Sequence, residues 1–292
     1  MKKEGFCNPI LVGNKENIEN FALNNKINIK KVAIIDPKTF ENIQGVIDKY
    51  YDLRKEKGVT LDSAKELILN DYPSFSMVLV SLGYADGVVS GINHTSSDTI
   101  RSALQIIKAK TGFASSFFLM EIKNYEPFIY SDCGMVQNPT SEELVNISYQ
   151  AANSFKLITN KTPIVGFLSH STLGSSICDD SKKVIEAVRL AKEKYPNMIS
   201  DGEFQFDTAV IPEVASIKAP NSKVAGNCNV LIFPDLDSGN IAYKITERLG
   251  GAKAYGPIMQ GLNKPVNDLS RGSSIEDIIG VTAITCLQAQ EK

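Results

Sequence analysis

Short apolar runs closed by glycine or proline alternate with longer stretches of helical period along most of the chain. PILVG (9–13), KVAIIDP (31–37), IVGFLS (164–169) and NVLIFPD (229–235) are of strand length and rich in β-branched residues. Between them, segments such as TFENIQGVIDKYYDLRKEKG, LDSAKELILN and SKKVIEAVRLAKEKY repeat apolar residues at three- and four-residue intervals. Thr140-Ser141-Glu142-Glu143 is a capping-box pattern that opens another helix, and Ser274 opens the last one, over 274–289. Strands alternating with helices imply an α/β fold built on a mainly parallel sheet with helices on both faces. ASSFFLMEI and PFIYSDC are read as adjacent strands.

A chain of 292 residues is long for one simple core. The texture changes near 111–115 and again near 255–264, which suggests two α/β domains. The first comprises 1–112 plus 256–292 and the second 113–255, with the last helix returning to the first domain. A cleft between two such domains is where a ligand is expected.

The balance of charge limits the partners. A net charge of −2 argues against nucleic acid or an anionic membrane surface. No apolar run approaches the ~20 residues of a membrane span. The five cysteines are odd in number and widely spaced, which fits reduced thiols in a cytoplasmic protein. His94 and His170 lack metal-ligand spacing and read as loop hydrogen-bonders, so no metal site is expected.

Arginine is scarce: Arg54, Arg101, Arg189, Arg248 and Arg271 are the five among 31 basic residues. A planar guanidinium that holds phosphate or carboxylate on two donors is therefore worth tracing in this chain. Arg271 lies in NDLSRGSSIEDI, where small polar residues precede a helix start. Backbone N–H groups at such a start bind anions. Asp277, three residues beyond the cap Ser274, either completes a capping box or stands beside the anion as a general base. Arg101 lies near the start of a helix in GINHTSSDTIRSALQ, among the hydroxyls of Thr95, Ser96, Ser97 and Thr99. This is either a second phosphate-binding start or a well-capped helix with a surface arginine. FLSHSTLGSS (167–176) has the small residues of a phosphate cradle without the P-loop lysine pattern. Nothing fits GxGxxG.

ADGVVSGINHTSSDTIRSALQIIK, DGEFQFDTAVIPEVA, KAPNSKVAGNCNVLIFPDLDSGNIAYKI and GPIMQGLNKPVNDLSRGSSIEDI, in this order, resemble the phosphate acetyl/butyryltransferase family, its phosphate acetyltransferases above all. The resemblance implies reversible conversion of acetyl-CoA and phosphate to acetyl phosphate and CoA. It also implies a fold similar to isocitrate and isopropylmalate dehydrogenases, and a homodimer. CoA and acetyl-CoA enter as substrates, with no permanently bound cofactor. Asp277, Arg271 and Ser270 carry over as catalytic residues, and Arg101 and Arg54 as binders of acyl phosphate or CoA phosphate, with Thr99 and Ser96 beside them. Members of the family begin with a further strand and helix, and this chain is expected to start after that point. Ser273 and Ser102 stand where the family often has cysteine and proline. A phosphate butyryltransferase, another short-chain phosphotransacylase, or a non-catalytic remnant that binds CoA or acyl phosphate are the alternatives.

Overall fold

The computed structural model describes residues 1, 5–91, 95–270 and 272–290. They form a mixed α/β structure in two compact units, one of 1–109 with 262–292 and one of 110–261.

The first unit contains β1 (Ile10–Val12), α1 (Lys15–Asn24), β2 (Ala33–Ile35), α2 (Ile43–Arg54), α3 (Leu61–Asn70), α4 (Tyr72–Ser81), β3 (Val88–Ser90) and α5 (Ser96–Ile106). β1 pairs in parallel with β2. β3 pairs in parallel with a strand from the far end of the chain (Val266–Asp268, β10). α4 is apolar on nearly every side, and Phe75, Met77, Val78 and Val80 are all buried, as expected of a helix packed all round. Asp71 starts it by accepting the Ser74 N–H at 2.8 Å. α2, α3 and α5 pack around α4.

The second unit is one six-stranded sheet. It contains β4 (Ser115–Glu121), β5 (Phe128–Ser131), α6 (Ser141–Thr159), β6 (Val165–Leu168), α7 (Asp179–Lys194), β7 (Ser200–Phe204), α8 (Phe206–Val210), α9 (Pro212–Lys218), β8 (Val230–Ile232), α10 (Leu236–Arg248) and β9 (Lys253–Gln260). The strand order is β7-β6-β8-β5-β4-β9. The Thr140 capping box opens α6 as its sequence predicts: the Glu143 N–H donates to Thr140 Oγ1 and the Thr140 N–H to Glu143 Oε2. On one face of the sheet Phe118, Met120, Tyr130 and Leu231 pack with Ala209 of α8 and Ala215 of α9, and Phe118 stacks on Tyr243 of α10 with ring centroids 3.8 Å apart.

Two features depart from the sequence reading. The sheet of the second unit is mixed, because β4 runs antiparallel to both β5 and β9. The unit also runs past residue 255, because β9 continues to Gln260 along β4 and carries 256–261 with it. The last helix, α11 (Ile275–Gln290), packs on β3 and β10 of the first unit.

Candidate active site

The two polar loops singled out by their arginines leave the sheet side by side. β3 and β10 are paired in parallel with Asp268 opposite Ser90, so the loops that follow both strands start at the same carboxyl end. Ligands collect at that end of open α/β sheets. The pairing continues one residue further, where the Leu269 N–H donates to the Ser90 carbonyl at 2.7 Å. Gly91 makes this closeness possible. Its φ is +113°, and a Cβ there would fall 2.0 Å from Asp268 Oδ1 and 2.5 Å from the Leu269 carbonyl oxygen.

After β10 the chain makes a tight polar turn. The Ser273 N–H donates to the Ser270 carbonyl at 3.0 Å, and the Gly272 N–H to Ser270 Oγ at 3.2 Å. Ser270 is exposed on this turn. Asp277 Oδ2 accepts the Ser274 N–H at 2.7 Å, and the Asp277 N–H donates to Ser274 Oγ at 3.1 Å. The capping box is therefore formed, and it holds the Asp277 carboxylate at the mouth of the turn. Asn267, fully buried, ties β10 to the body of α11 by donating to Thr285 Oγ1 and Gln288 Oε1, both at 2.8 Å. Arg271 and His94 lie outside the described residues.

After β3, Thr95 caps α5: its Oγ1 accepts the Asp98 N–H at 3.2 Å. Arg101 pairs with Asp98 one turn back, and its side chain is 63% exposed. The Asp98 carboxyl lies below its ordinary range, chiefly through the Thr95 hydroxyl bond and then through Arg101. Ser96 is exposed in the first turn. Thr99 points inward instead. It is 1% exposed, and its hydroxyl has no hydrogen bond among the described residues. Arg54 ends α2, a helix that packs on α5, and its Nε is buried with no partner among the described residues.

The other two polar turns are occupied by their own side chains. In FLSHSTLGSS, Glu203 Oε1 accepts the Gly174 N–H at 2.8 Å and the Ser171 hydroxyl at 2.7 Å, so a carboxylate takes the donors a phosphate would need. His170 Nε2 lies 3.3 Å from Ser176 Oγ in the same loop. In DLDSGN, Asp235 caps α10 through the Ser238 N–H. Among the described residues no group of three or more His, Cys, Asp or Glu is placed to hold a metal ion. No helix among them is long and apolar enough to cross a membrane.

Sequence reasoning passed over Asp268. It is fully buried at the end of β10, against Gly91. The signal was a carboxylate next to the arginine-bearing turn, but its closeness to Gly91 spans 177 positions and is invisible to local pattern.

The family model for phosphate acetyl/butaryl transferase matches residues 1–286. A phosphate acetyltransferase of Acetivibrio thermocellus is 47% identical over 99% of this chain and 88% of its own length. One from Bacillus subtilis is 44% identical over 97% of this chain and 87% of its own length. The crystal structure of a phosphotransacetylase from Streptococcus pyogenes superposes with a TM-score of 0.93 at 44% identity, covering 100% of this chain and 88% of that one. A 4-hydroxythreonine-4-phosphate dehydrogenase from Klebsiella pneumoniae shares the fold alone, with a TM-score of 0.51 at 11% identity over 96% of this chain and 88% of that one. The expected dehydrogenase-like α/β fold is therefore found, and the chain belongs to the phosphate acetyl/butaryl transferase family.

Proposed function

We propose that this protein transfers an acetyl group reversibly between CoA and inorganic phosphate. The observation that carries the reading is the pairing of β3 with β10, which starts the Ser96–Arg101 segment and the Ser270–Asp277 segment from one end of one sheet. The phosphate acetyltransferase relatives support the choice of substrates.

In this reading CoA and acetyl phosphate are bound together and react directly. Asp277 takes the proton from the CoA thiol. The thiolate attacks the acetyl carbonyl carbon, the C–O bond to phosphate breaks, and phosphate leaves with the electron pair. Arg271 stabilises the developing oxyanion, Ser270 hydrogen-bonds the sulfur or the intermediate, and Arg101, Arg54 and Ser96 hold the phosphate. A thiol of pKa ~8.5 is only roughly 3% ionised at pH 7, so deprotonation supplies at most about 2 kcal/mol. Positioning and charge stabilisation supply the remainder. CoA comes and goes as a substrate and no cofactor stays bound. Two copies form a homodimer. Five cysteines without a disulfide suit the cytoplasm.

The test is a thiol-release assay of the purified protein with acetyl-CoA and phosphate, run beside butyryl-CoA. Phosphate-dependent release, faster with acetyl-CoA, is expected. Faster release with butyryl-CoA would move the assignment to a longer acyl group, and no release from folded protein would leave a binding remnant. Light scattering tests the dimer.

A further inference from the structure

Cys7 and Cys286 lie 279 positions apart in the chain and meet in the first unit. Their side chains are hydrogen-bonded to each other, and both face one cavity of that unit. Each is half-buried, so small solutes reach the pair. The two sulfurs are held differently. Cys286 sits on α11, where Ile278, Thr282, Cys286 and Ala289 follow at three- and four-residue steps along the face that lines the cavity. Asn267 fixes this part of the helix by donating to Thr285 and Gln288, on either side of Cys286. Cys7 lies on irregular backbone, three residues before β1.

One sulfur is thus on a rigid element and the other on a segment with no helix or strand bonds to break. A disulfide needs its sulfurs ~2.05 Å apart and its Cβ atoms ~3.8 Å apart, a short movement from hydrogen-bond contact. The surroundings also give the two thiols separate parts. Burial pushes the Cys286 thiol up, and the charge of Cys7, the hydrogen bond to it and the charge of Asp86 push the same way. Cys286 therefore keeps its proton and donates it to the Cys7 sulfur. Cys7 is the sulfur that reacts first as thiolate, with a second thiol in place to resolve it.

We propose that Cys7 and Cys286 are a redox-modification site, a dithiol that a peroxide converts reversibly to a disulfide. The Cys7 thiolate attacks one peroxide oxygen, the O–O bond breaks, and Cys7 becomes a sulfenic acid as hydroxide leaves. The Cys286 sulfur then attacks the Cys7 sulfur, the S–O bond breaks, and water leaves with the Cys286 proton. Two thiols lose two electrons, and one hydrogen peroxide becomes two waters. A low-molecular-weight dithiol reverses the step by exchange. In a reducing compartment such a bond is transient and signals oxidant. It ties the segment before β1 to the helix whose first turn holds the Ser274–Asp277 cap.

The experiment uses the 292-residue protein in a Cys178→Ser background, which removes the exposed thiol elsewhere. The reduced, folded protein is treated with hydrogen peroxide, then alkylated in denaturant and mapped by mass spectrometry. Expected are a Cys7–Cys286 cross-link within one chain, a fall in free thiols from four to two, and full reversal by dithiothreitol. Cys286→Ser should leave Cys7 as a sulfenic acid that dimedone traps. Cys7→Ser should slow oxidation of Cys286 on the order of tenfold or more. Sulfinic acid at either cysteine without the cross-link, a cross-link between two chains in its place, or no oxidation under conditions that oxidise free cysteine overturns the site. An unchanged rate at Cys286 in Cys7→Ser overturns the order of attack. None of these readouts uses acetyl transfer, so they stand apart from the activity assay.

Discussion

Asp277 and Ser274 close a two-way hydrogen-bonded box at the first turn of α11, with Ser274 N–H to Asp277 Oδ2 at 2.7 Å and Asp277 N–H to Ser274 Oγ at 3.1 Å. The residue proposed as the base is thus also a structural cap, and Oδ2 is the oxygen engaged in the cap. Oδ1 has no hydrogen bond among the described residues.

The two roles separate by substitution. Asp277→Asn keeps an oxygen for the Ser274 N–H but cannot accept a thiol proton. It should lower kcat ~10²-fold or more with Tm nearly unchanged. Asp277→Ala should lose both, with a further ~0.5–2 kcal/mol of stability. Wild-type turnover in the Asn variant would reduce Asp277 to a cap.

Arg101 is paired on the surface with Asp98, so its removal should leave Tm unchanged. In the proposed reading Arg101→Ala loses a charge-assisted bond to phosphate worth about 1.5–3 kcal/mol, a rise of roughly tenfold or more in the KM for phosphate. Steady-state kinetics with phosphate varied decides this; an unchanged KM would return Arg101 to a capped-helix surface.

Gly91 follows β3 directly, where it packs against the end of β10. Gly91→Ala forces a Cβ against Asp268 Oδ1 and the Leu269 backbone, at a φ of +113° that alanine resists. The expected cost is ~1–3 kcal/mol or more, with activity lost alongside it. Thermal unfolding and the thiol assay on the same preparation measure both.

The thiols should react in a fixed order. Cys178 is exposed and its pKa is lowered, first by the Ser181 backbone hydrogen bond and then by the Ser181 side chain. Cys133 and Cys228 are buried, and burial pushes the Cys228 thiol up to about 12. Mass spectrometry after brief maleimide treatment near pH 7 should find Cys178 modified first. Cys133 and Cys228 should react only after denaturation.

Much of this architecture is legible residue by residue. The capping boxes at Thr140 and Ser274, and runs such as IVGFLS, carry their own local signal. β10 does not, because its three residues are Val-Asn-Asp. Its polar pair is buried through contacts with distant segments: Asn267 with Thr285 and Gln288, and Asp268 against Gly91. β9 was hidden by the Gly256-Pro257 pair, which reads as a breaker although the strand lies at the edge of its sheet, where proline is tolerated. Strand direction leaves no mark on apolar alternation, so the antiparallel β4 could not be told from a parallel strand. For the candidate site, residue types and loop positions were readable. The inward turn of Thr99 depends on which face of α5 meets its neighbours.

The chain leaves the first unit after residue 109 and re-enters it at 262. Synthesis therefore completes the second unit as an uninterrupted stretch while β3 still waits for β10. Domains fold as units while the chain is made, so the second can settle first, and the Gly91–Asp268 contact forms only when the segment from residue 262 onward arrives. Nascent chains halted before that point should hold a folded middle and an open first unit, unable to turn over substrate until release.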